Sequence, residues 1–134
     1  MDYVRYIAAT MGAALAWLVG GFDYLFLVLV IFTVIDYASG VTAAWIQGEL
    51  SSSKGLQGIA KKTFIIALVV VADKIDLMIG GSDFWRNAVL WGLIVNETFS
   101  IFENGGRMGV KIPKVFYRAL AVLQDKNPTE KGDE

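Results

Sequence analysis

The stretch FDYLFLVLVIFTVIDYASGVTAAWI, residues 22–46, decides the fold class of this chain. Apart from Asp23 at its start and Asp36 near its middle, it contains no charged residue. A helix that crosses a lipid bilayer needs about 20 predominantly apolar residues, and this stretch exceeds that length. It therefore predicts a membrane-spanning helix that carries one acid within the apolar layer.

Three further apolar segments surround it, at about residues 6–19, 63–79 and 84–102. With residues 22–46 they predict an all-α fold, an integral membrane bundle with three to four membrane-embedded helices. The first segment is short, so it either spans or lies in the interface. A short amphipathic helix is predicted from Pro113 to Leu123. The predicted organisation is a membrane domain over residues 1–104 and a cytoplasmic tail over residues 105–134.

The connections between the segments predict the orientation. Tight breaks at Gly20-Gly21 and Gly80-Gly81-Ser82 suit helical hairpins, whereas residues 47–62 are expected to form a longer polar loop. Basic residues concentrate in that loop and in the tail, which predicts that both face the cytoplasm and meet the membrane surface. These residues are Lys54, Lys61, Lys62, Arg107, Lys111, Lys114 and Arg118. Three spans with an external N-terminus and four spans with an internal one fit equally well.

The composition excludes several classes of function. Hydrophobic residues make up 55% of the chain, charged residues make up 19%, and there is no histidine or cysteine. The commonest metal ligand, the commonest general base and any thiol chemistry are therefore missing, and we expect no enzyme, metal site or cofactor. The net charge of −1 offers no basic field for nucleic acid. The run after Arg5 could also be a secretory signal, which would still leave the other apolar segments.

Polar residues inside apolar segments are the first candidates for function, because each costs several kcal/mol in lipid unless it is paired or hydrated. Three interpretations stay open. In the first, the groups line water in an oligomeric pore. In the second, Asp36, Lys74 and Glu97 pair inside one subunit's bundle and hold its helices together. In the third, the stretch from Asp73 to Asp76 lies at the external interface. The candidates are Asp36, Asp73, Lys74, Asp76, Asn96 and Glu97.

Small residues recur every four positions in two places and predict close helix packing, within or between subunits. The two sets are Gly12, Ala16 and Gly20, and Gly40, Ala44 and Gly48.

Three stretches carry a resemblance to the phage holins of the toxin-secretion and phage-lysis group, found in clostridial and bacillus phages. Residues 36–40, DYASG, followed by Ala43-Ala44, resemble the family's element in an early span. Residues 53–62, SKGLQGIAKK, resemble its basic loop. Residues 96–104, NETFSIFEN, followed by GVKIP at 109–113, are similar to the end of its last span and the start of its tail. The resemblance covers roughly residues 22–123.

The resemblance implies a function and partners. Such holins accumulate in the bacterial cytoplasmic (inner) membrane, oligomerise and open lesions, so that endolysin reaches the cell wall and the host lyses. Some relatives assist toxin secretion. The implied partners are the lipid bilayer, other copies of the chain and a released endolysin, with an antiholin as a further candidate. Two alternatives from other classes remain: a small ion channel or proton-coupled transporter, and a non-conducting antiholin or membrane scaffold.

Overall fold

The computed structural model describes residues 1–125 and is all-helical over that range. Five helices follow one another with short connections, and the described residues contain no strand, as the all-α prediction requires. The helices are α1 (Asp2–Val19), α2 (Tyr24–Ile46), α3 (Ser52–Ile79), α4 (Phe84–Arg107) and α5 (Lys114–Asp125).

The largest departure from the sequence prediction is the start of α3. Residues 47–62 were expected to form a polar loop, but only the first five of them connect α2 to α3. Ser51 begins the helix as its N-cap, because its hydroxyl accepts a hydrogen bond from the backbone N–H of Lys54 at 3.2 Å. A polar sequence therefore forms the first turns of a helix of 28 residues.

The other boundaries differ by smaller amounts. α1 begins four residues before the predicted segment, and α4 continues to Arg107, past the predicted domain boundary at residue 104. The helix predicted from Pro113 to Leu123 is α5, which begins at Lys114. Residues 126–134, the remainder of the predicted tail, lie outside the described residues.

Packing within the bundle centres on α4, which contacts α2 most extensively and α3 next, whereas α1 contacts α3 at the periphery. Side chains of Leu29, Val69 and Leu90 are fully buried where α2, α3 and α4 meet. The Phe102 ring of α4 contacts the rings of Phe116 and Tyr117 edge-on, with centroids 6.0 and 5.3 Å apart. These contacts attach α5 to the bundle.

Two ends of the bundle can be distinguished by their connections. The hairpin end contains the connections at residues 20–23 and 80–83, where Gly20 adopts a left-handed conformation (φ 79°) that ends α1. The basic end contains residues 47–51 and the turn after Arg107, where the Gln47 side chain bonds Arg107. At each end, side chains from several helices meet.

By length and composition, α2 is the one described helix suited to crossing a membrane. It has 23 residues, which is about 35 Å at 1.5 Å per residue. α3 and α4 are as long or longer, but charged residues interrupt their apolar sequence. Whether α3 and α4 can also lie in a membrane therefore depends on where those charges lie in the bundle.

Candidate functional site

The charged residues of α2, α3 and α4 form two separate clusters. The first, the Lys62 cluster, consists of Asp36, Lys62, Glu97 and Asn104. Asp36, Lys62 and Glu97 each lie ten residues from the basic end of their own helix, about 15 Å along the axis. Three helices therefore contribute one charge each at the same depth.

Lys62 holds this cluster together. Its ammonium donates hydrogen bonds to Oδ2 of Asp36 and to Oε2 of Glu97, the latter at 2.5 Å. Both acids are buried, with residue exposures of 6% and 0%, whereas the Lys62 side chain is partly exposed. Charge-assisted bonds of this kind are among the strongest in proteins, which makes Lys62 the main electrostatic link between α2, α3 and α4.

Asn104 completes the cluster from the last turns of α4. Its side-chain amide donates to Oδ1 of Asp36 at 2.9 Å and lies 3.0 Å from the hydroxyl of Ser39. Gly40 lies next to this amide, since a Cβ there would stand 3.4 Å from the Asn104 nitrogen, at van der Waals distance. The Asp-x-x-Ser-Gly sequence of α2 thus forms one side of a binding surface for Asn104.

A glycine in α3 brings that helix close to α2. The Tyr37 ring lies against Gly58, where a Cβ would come within 3.0 Å of the ring, and the Tyr37 hydroxyl donates to the Gly55 carbonyl at 3.4 Å. Both glycines lie in residues 47–62, which were predicted to form a loop, so this helix contact was not predicted. Gly55 and Gly58, three residues apart inside a helix, are the signal that could have revealed it.

The second cluster, the Arg86 cluster, consists of Asp23, Asp73, Lys74, Asp76 and Arg86 at the hairpin end. Arg86 is only 2% exposed, although it stands in the first turn of α4. Its guanidinium donates to Asp23 at 2.6 Å, to the Val19 carbonyl at 2.6 Å and to the Gly21 carbonyl at 2.9 Å. One side chain therefore ties α4 to the end of α1 and the beginning of α2.

The aspartates on α3 complete this cluster. Both carboxylate oxygens of Asp76 accept backbone N–H groups at the start of α4, from Trp85 at 3.1 Å and Arg86 at 2.7 Å. Asp76 thus caps a neighbouring helix and complements its dipole. Asp73 accepts a bond from Lys74 at 2.9 Å, and Lys74 also lies 4.1 Å above the Trp17 ring of α1.

Asp23 lies in the connection before α2, and the Arg86 cluster changes the pKa of its carboxyl. Partial burial by itself raises the pKa of the Asp23 carboxyl. Hydrogen bonds from the Arg86 guanidinium and the Phe26 backbone N–H outweigh the burial and hold that pKa below its ordinary value. Asp23 therefore stays ionised as the partner of Arg86.

The structure sorts the predicted polar residues into these clusters. Asp36 and Glu97 come together, but their shared base is Lys62, which was expected at the membrane surface, and not Lys74. Lys74 belongs with Asp73 and Asp76 at the other end. Asn96 is exposed at the edge of a cavity beside the Lys62 cluster.

Arg86 and Asn104 are the residues that sequence reasoning missed. Arg86 is the single basic residue in the apolar stretch 84–102, and that isolation was a signal of burial and pairing. Asn104 is the last residue of the stretch 96–104, and no role was predicted for it. Its partner Asp36 is 68 residues away in the sequence.

The remaining predicted residues have simpler surroundings. Lys54 pairs with Glu49 at 3.1 Å, and Arg107 bonds Gln47 at 2.8 Å, so both brace the basic end. The other basic residues predicted at the surface are exposed; they are Lys61, Lys111, Lys114 and Arg118.

Of the predicted packing positions, Ala44 is buried, Ala16 is partly buried, and Gly20 lies against Asp73 and Arg86. At Gly12 and Gly48 none of the described residues comes within 4 Å of the position that a Cβ would take, so these residues do not form the predicted close contacts within residues 1–125.

Two cavities flank the contact between α2 and α3. A polar cavity of about 860 Å³ lies on the α4 side, with Asp36 and Glu97 in its wall and Lys54, Lys61 and Arg107 toward the basic end. An apolar groove of about 580 Å³ lies on the α1 side, between residues such as Leu15, Phe26 and Ile66. Tyr37 and Lys62 line both, so they form the partition between them.

The chain is similar to known proteins over nearly its whole length. Residues 13–125 match the model of the bacteriophage holin family. An uncharacterized protein of Listeria innocua is 44% identical over 92% of this chain and 85% of its own length. A probable holin of Bacillus phage phi105 is 37% identical over 90% of each chain. No solved structure matches it. The buried polar clusters described above therefore belong to a member of the bacteriophage holin family.

Proposed function

We propose that this chain acts as a holin: it accumulates in the bacterial inner membrane, oligomerises, and forms lesions that release endolysin and trigger host lysis. Family membership and the similarity to a probable holin support this role. The observation that carries it is the internal pairing of the charges on α3 and α4, which makes both helices compatible with a bilayer despite their composition.

That pairing supports three to four membrane-embedded helices. A charged side chain at the centre of a spanning helix costs roughly 2.5–3.5 kcal/mol on insertion scales. Lys62 and Glu97 have partners on other helices, and Arg86 pairs with Asp23 in the connection before α2, so the assembled bundle exposes few of these charges to lipid. The bundle surface is instead apolar, with Ile7, Phe64 and Val71 all more than half exposed. Such a surface needs lipid or other subunits to cover it.

The proposed orientation puts the basic end in the cytoplasm. Exposed basic side chains with no ion pair among the described residues gather there on α3, on α5 and between α4 and α5, whereas Lys74 and Arg86 at the hairpin end are neutralised by aspartates. Exposed aromatic residues near both ends match the belts expected at the two membrane interfaces. These residues are Trp17, Tyr24 and Trp85 at the hairpin end and Trp45 at the basic end. The tail that follows residue 104 would then lie on the cytoplasmic side, with α5 close to the membrane surface.

The proposed lesion uses the same charges in a second arrangement. In the single subunit, Lys62 pairs with both Asp36 and Glu97. When subunits assemble, separation of α3 from α2 and α4 would turn these groups toward water, where hydration replaces the lost pairs. The apolar surfaces of the helices would remain against lipid and neighbouring subunits.

Induced expression in bacteria that also contain a cytoplasmic endolysin tests the proposal. We expect growth to stop abruptly, the membrane potential to collapse, and endolysin activity to appear outside the cytoplasm. The control is the same strain without the endolysin gene, which should lose its potential but keep its wall intact. Continued growth with normal membrane accumulation would favour an antiholin or scaffold instead. Ion leakage without release of the enzyme would favour a small channel or transporter.

A further inference from the structure

Three basic side chains line the polar cavity toward the basic end, apart from the Lys62 cluster. They are Lys54 and Lys61 of α3 and Arg107 of α4, and together they define the cavity mouth. All three are exposed, and Lys61 forms no ion pair within residues 1–125. Side chains on a helix lean toward its N-terminus, which for α3 lies at the basic end, so Lys61 leans toward Lys54. The mouth therefore presents basic groups from two helices.

An acid of the chain already bridges two of these basic groups. Glu49 lies in the connection before α3, and its Oε2 is 3.1 Å from Nζ of Lys54 and 3.8 Å from Nη2 of Arg107. The side chains of Glu49 and Lys54 are more than half exposed, so their pairing contributes little and another anion can replace it. The geometry shows that one oxygen of an anion can contact α3 and α4 together.

Apolar side chains beside the mouth indicate which kind of anion fits. Leu50 and Phe64 line the same cavity and are 47% and 65% exposed, and Val41, Ala44 and Ile65 extend its apolar wall. A free inorganic anion would leave these side chains in water, whereas a phospholipid places hydrocarbon next to its phosphate. The cavity volume of about 860 Å³ lies in the range of about 300–1,000 Å³ that is typical of ligand sites.

We propose that the cavity mouth binds the phosphate of an anionic phospholipid, which takes the place of Glu49 between Lys54 and Arg107, with Lys61 beside it. A hydrocarbon chain of the lipid then lies along the apolar wall. Basic pockets between membrane helices are suited to anionic headgroups. The acids of the Lys62 cluster, about 15 Å from the basic end, repel the phosphate from the cavity floor and confine it to the mouth. The site rests on the proposed embedding in a membrane and does not depend on lesion formation.

Native mass spectrometry of the full chain, purified in dodecyl maltoside, tests the site with two lipids that have identical acyl chains. The wild-type chain should bind dioleoylphosphatidylglycerol more tightly than dioleoylphosphatidylcholine. Combining Lys54→Gln, Lys61→Gln and Arg107→Gln should lower the affinity for phosphatidylglycerol by roughly 100-fold, because each basic side chain contributes about fivefold near a membrane surface.

The matched control removes the same charge from exposed positions that do not line the cavity, by Lys111→Gln, Lys114→Gln and Arg118→Gln. It should bind phosphatidylglycerol like the wild-type chain. An equal loss in both triple variants would overturn the site, and so would a wild-type chain that does not prefer phosphatidylglycerol. If such a chain still fractionates with bacterial membranes and lyses cells, the proposed function stands without this site.

Glu49→Gln tests the site without removing a basic residue. It removes the competing carboxylate and should increase the affinity for phosphatidylglycerol several-fold, whereas Glu103→Gln, at an exposed position outside the cavity wall, should leave it unchanged. An unchanged affinity in Glu49→Gln would overturn the replacement of Glu49 by the lipid. Millimolar inorganic phosphate should not displace the bound lipid; displacement would overturn the choice of a phospholipid over free phosphate.

Discussion

Replacing Lys62 with methionine removes the ammonium that joins α2, α3 and α4 while keeping a side chain of similar length. Asp36 would keep only Asn104 as a donor, and Glu97 would lose its single partner. Removing one member of a buried ion pair costs about 3–5 kcal/mol, because a charge is left buried without compensation. At about 1.4 kcal/mol per tenfold change, the unfolded fraction should rise by roughly 100-fold to several thousand-fold.

The assay is unfolding of the purified chain in mixed detergent by titration with dodecyl sulfate, followed by circular dichroism. Lys61→Met is the matched control, because Lys61 is exposed and precedes Lys62 directly; it should change the free energy of unfolding by less than about 0.5 kcal/mol. Adding Asp36→Asn and Glu97→Gln to Lys62→Met removes the orphaned charges and should recover most of the loss. If Lys62→Met and Lys61→Met are equally stable, Lys62 does not hold the bundle together as described.

Three further predictions concern function, the hairpin end and topology. Asp36→Asn should shift the time of lysis or abolish lysis while membrane accumulation stays normal; lysis on the wild-type schedule, measured by optical density after induction, would contradict a role for its charge. Arg86→Met should lower the free energy of unfolding by about 1–3 kcal/mol, because the Val19 and Gly21 carbonyls and the Asp23 carboxylate lose their donor; Arg118→Met, at an exposed position on α5, is its control, and equal stability of the two would refute the link. A reporter fused after Glu134 should be active only in its cytoplasmic form, and alkaline phosphatase activity there would reverse the proposed orientation.

The Lys62 cluster joins the helices at the middle of the bundle, and the Arg86 cluster joins them at the hairpin end. The Arg86 cluster binds helix ends and backbone carbonyls, groups that are available only where helices begin or stop. The charged groups of the Lys62 cluster pair through side chains at equal depth on three helices, and Asn104 adds a bond to the Asp36 carbonyl at 3.1 Å. We therefore expect the Lys62 cluster to be the part that rearranges during assembly, since its partners can be exchanged without unwinding a helix.

The sequence by itself determined the helical class and the number and approximate limits of the apolar segments. Runs of apolar residues are a local property, and their length alone excludes strands and predicts helices for residues 22–46 and 84–102. The tight breaks at Gly20-Gly21 and Gly80-Gly81 were equally readable, since each is a property of adjacent residues. The family resemblance rested on ordered local motifs and was confirmed by the match over residues 13–125.

Only the tertiary structure decided which charges pair and where α3 begins. Residues 52–62 look like a loop because their polar side chains have no local apolar pattern, yet Gly58 packs on Tyr37 and Lys62 reaches two acids on other helices. Lys62 is 26 residues from Asp36 and 35 from Glu97, and their contact depends on the relative heights of three separate helices. Composition and periodicity describe one helix at a time and carry no information on that alignment, so the base for Asp36 could be identified only after the helices were packed together.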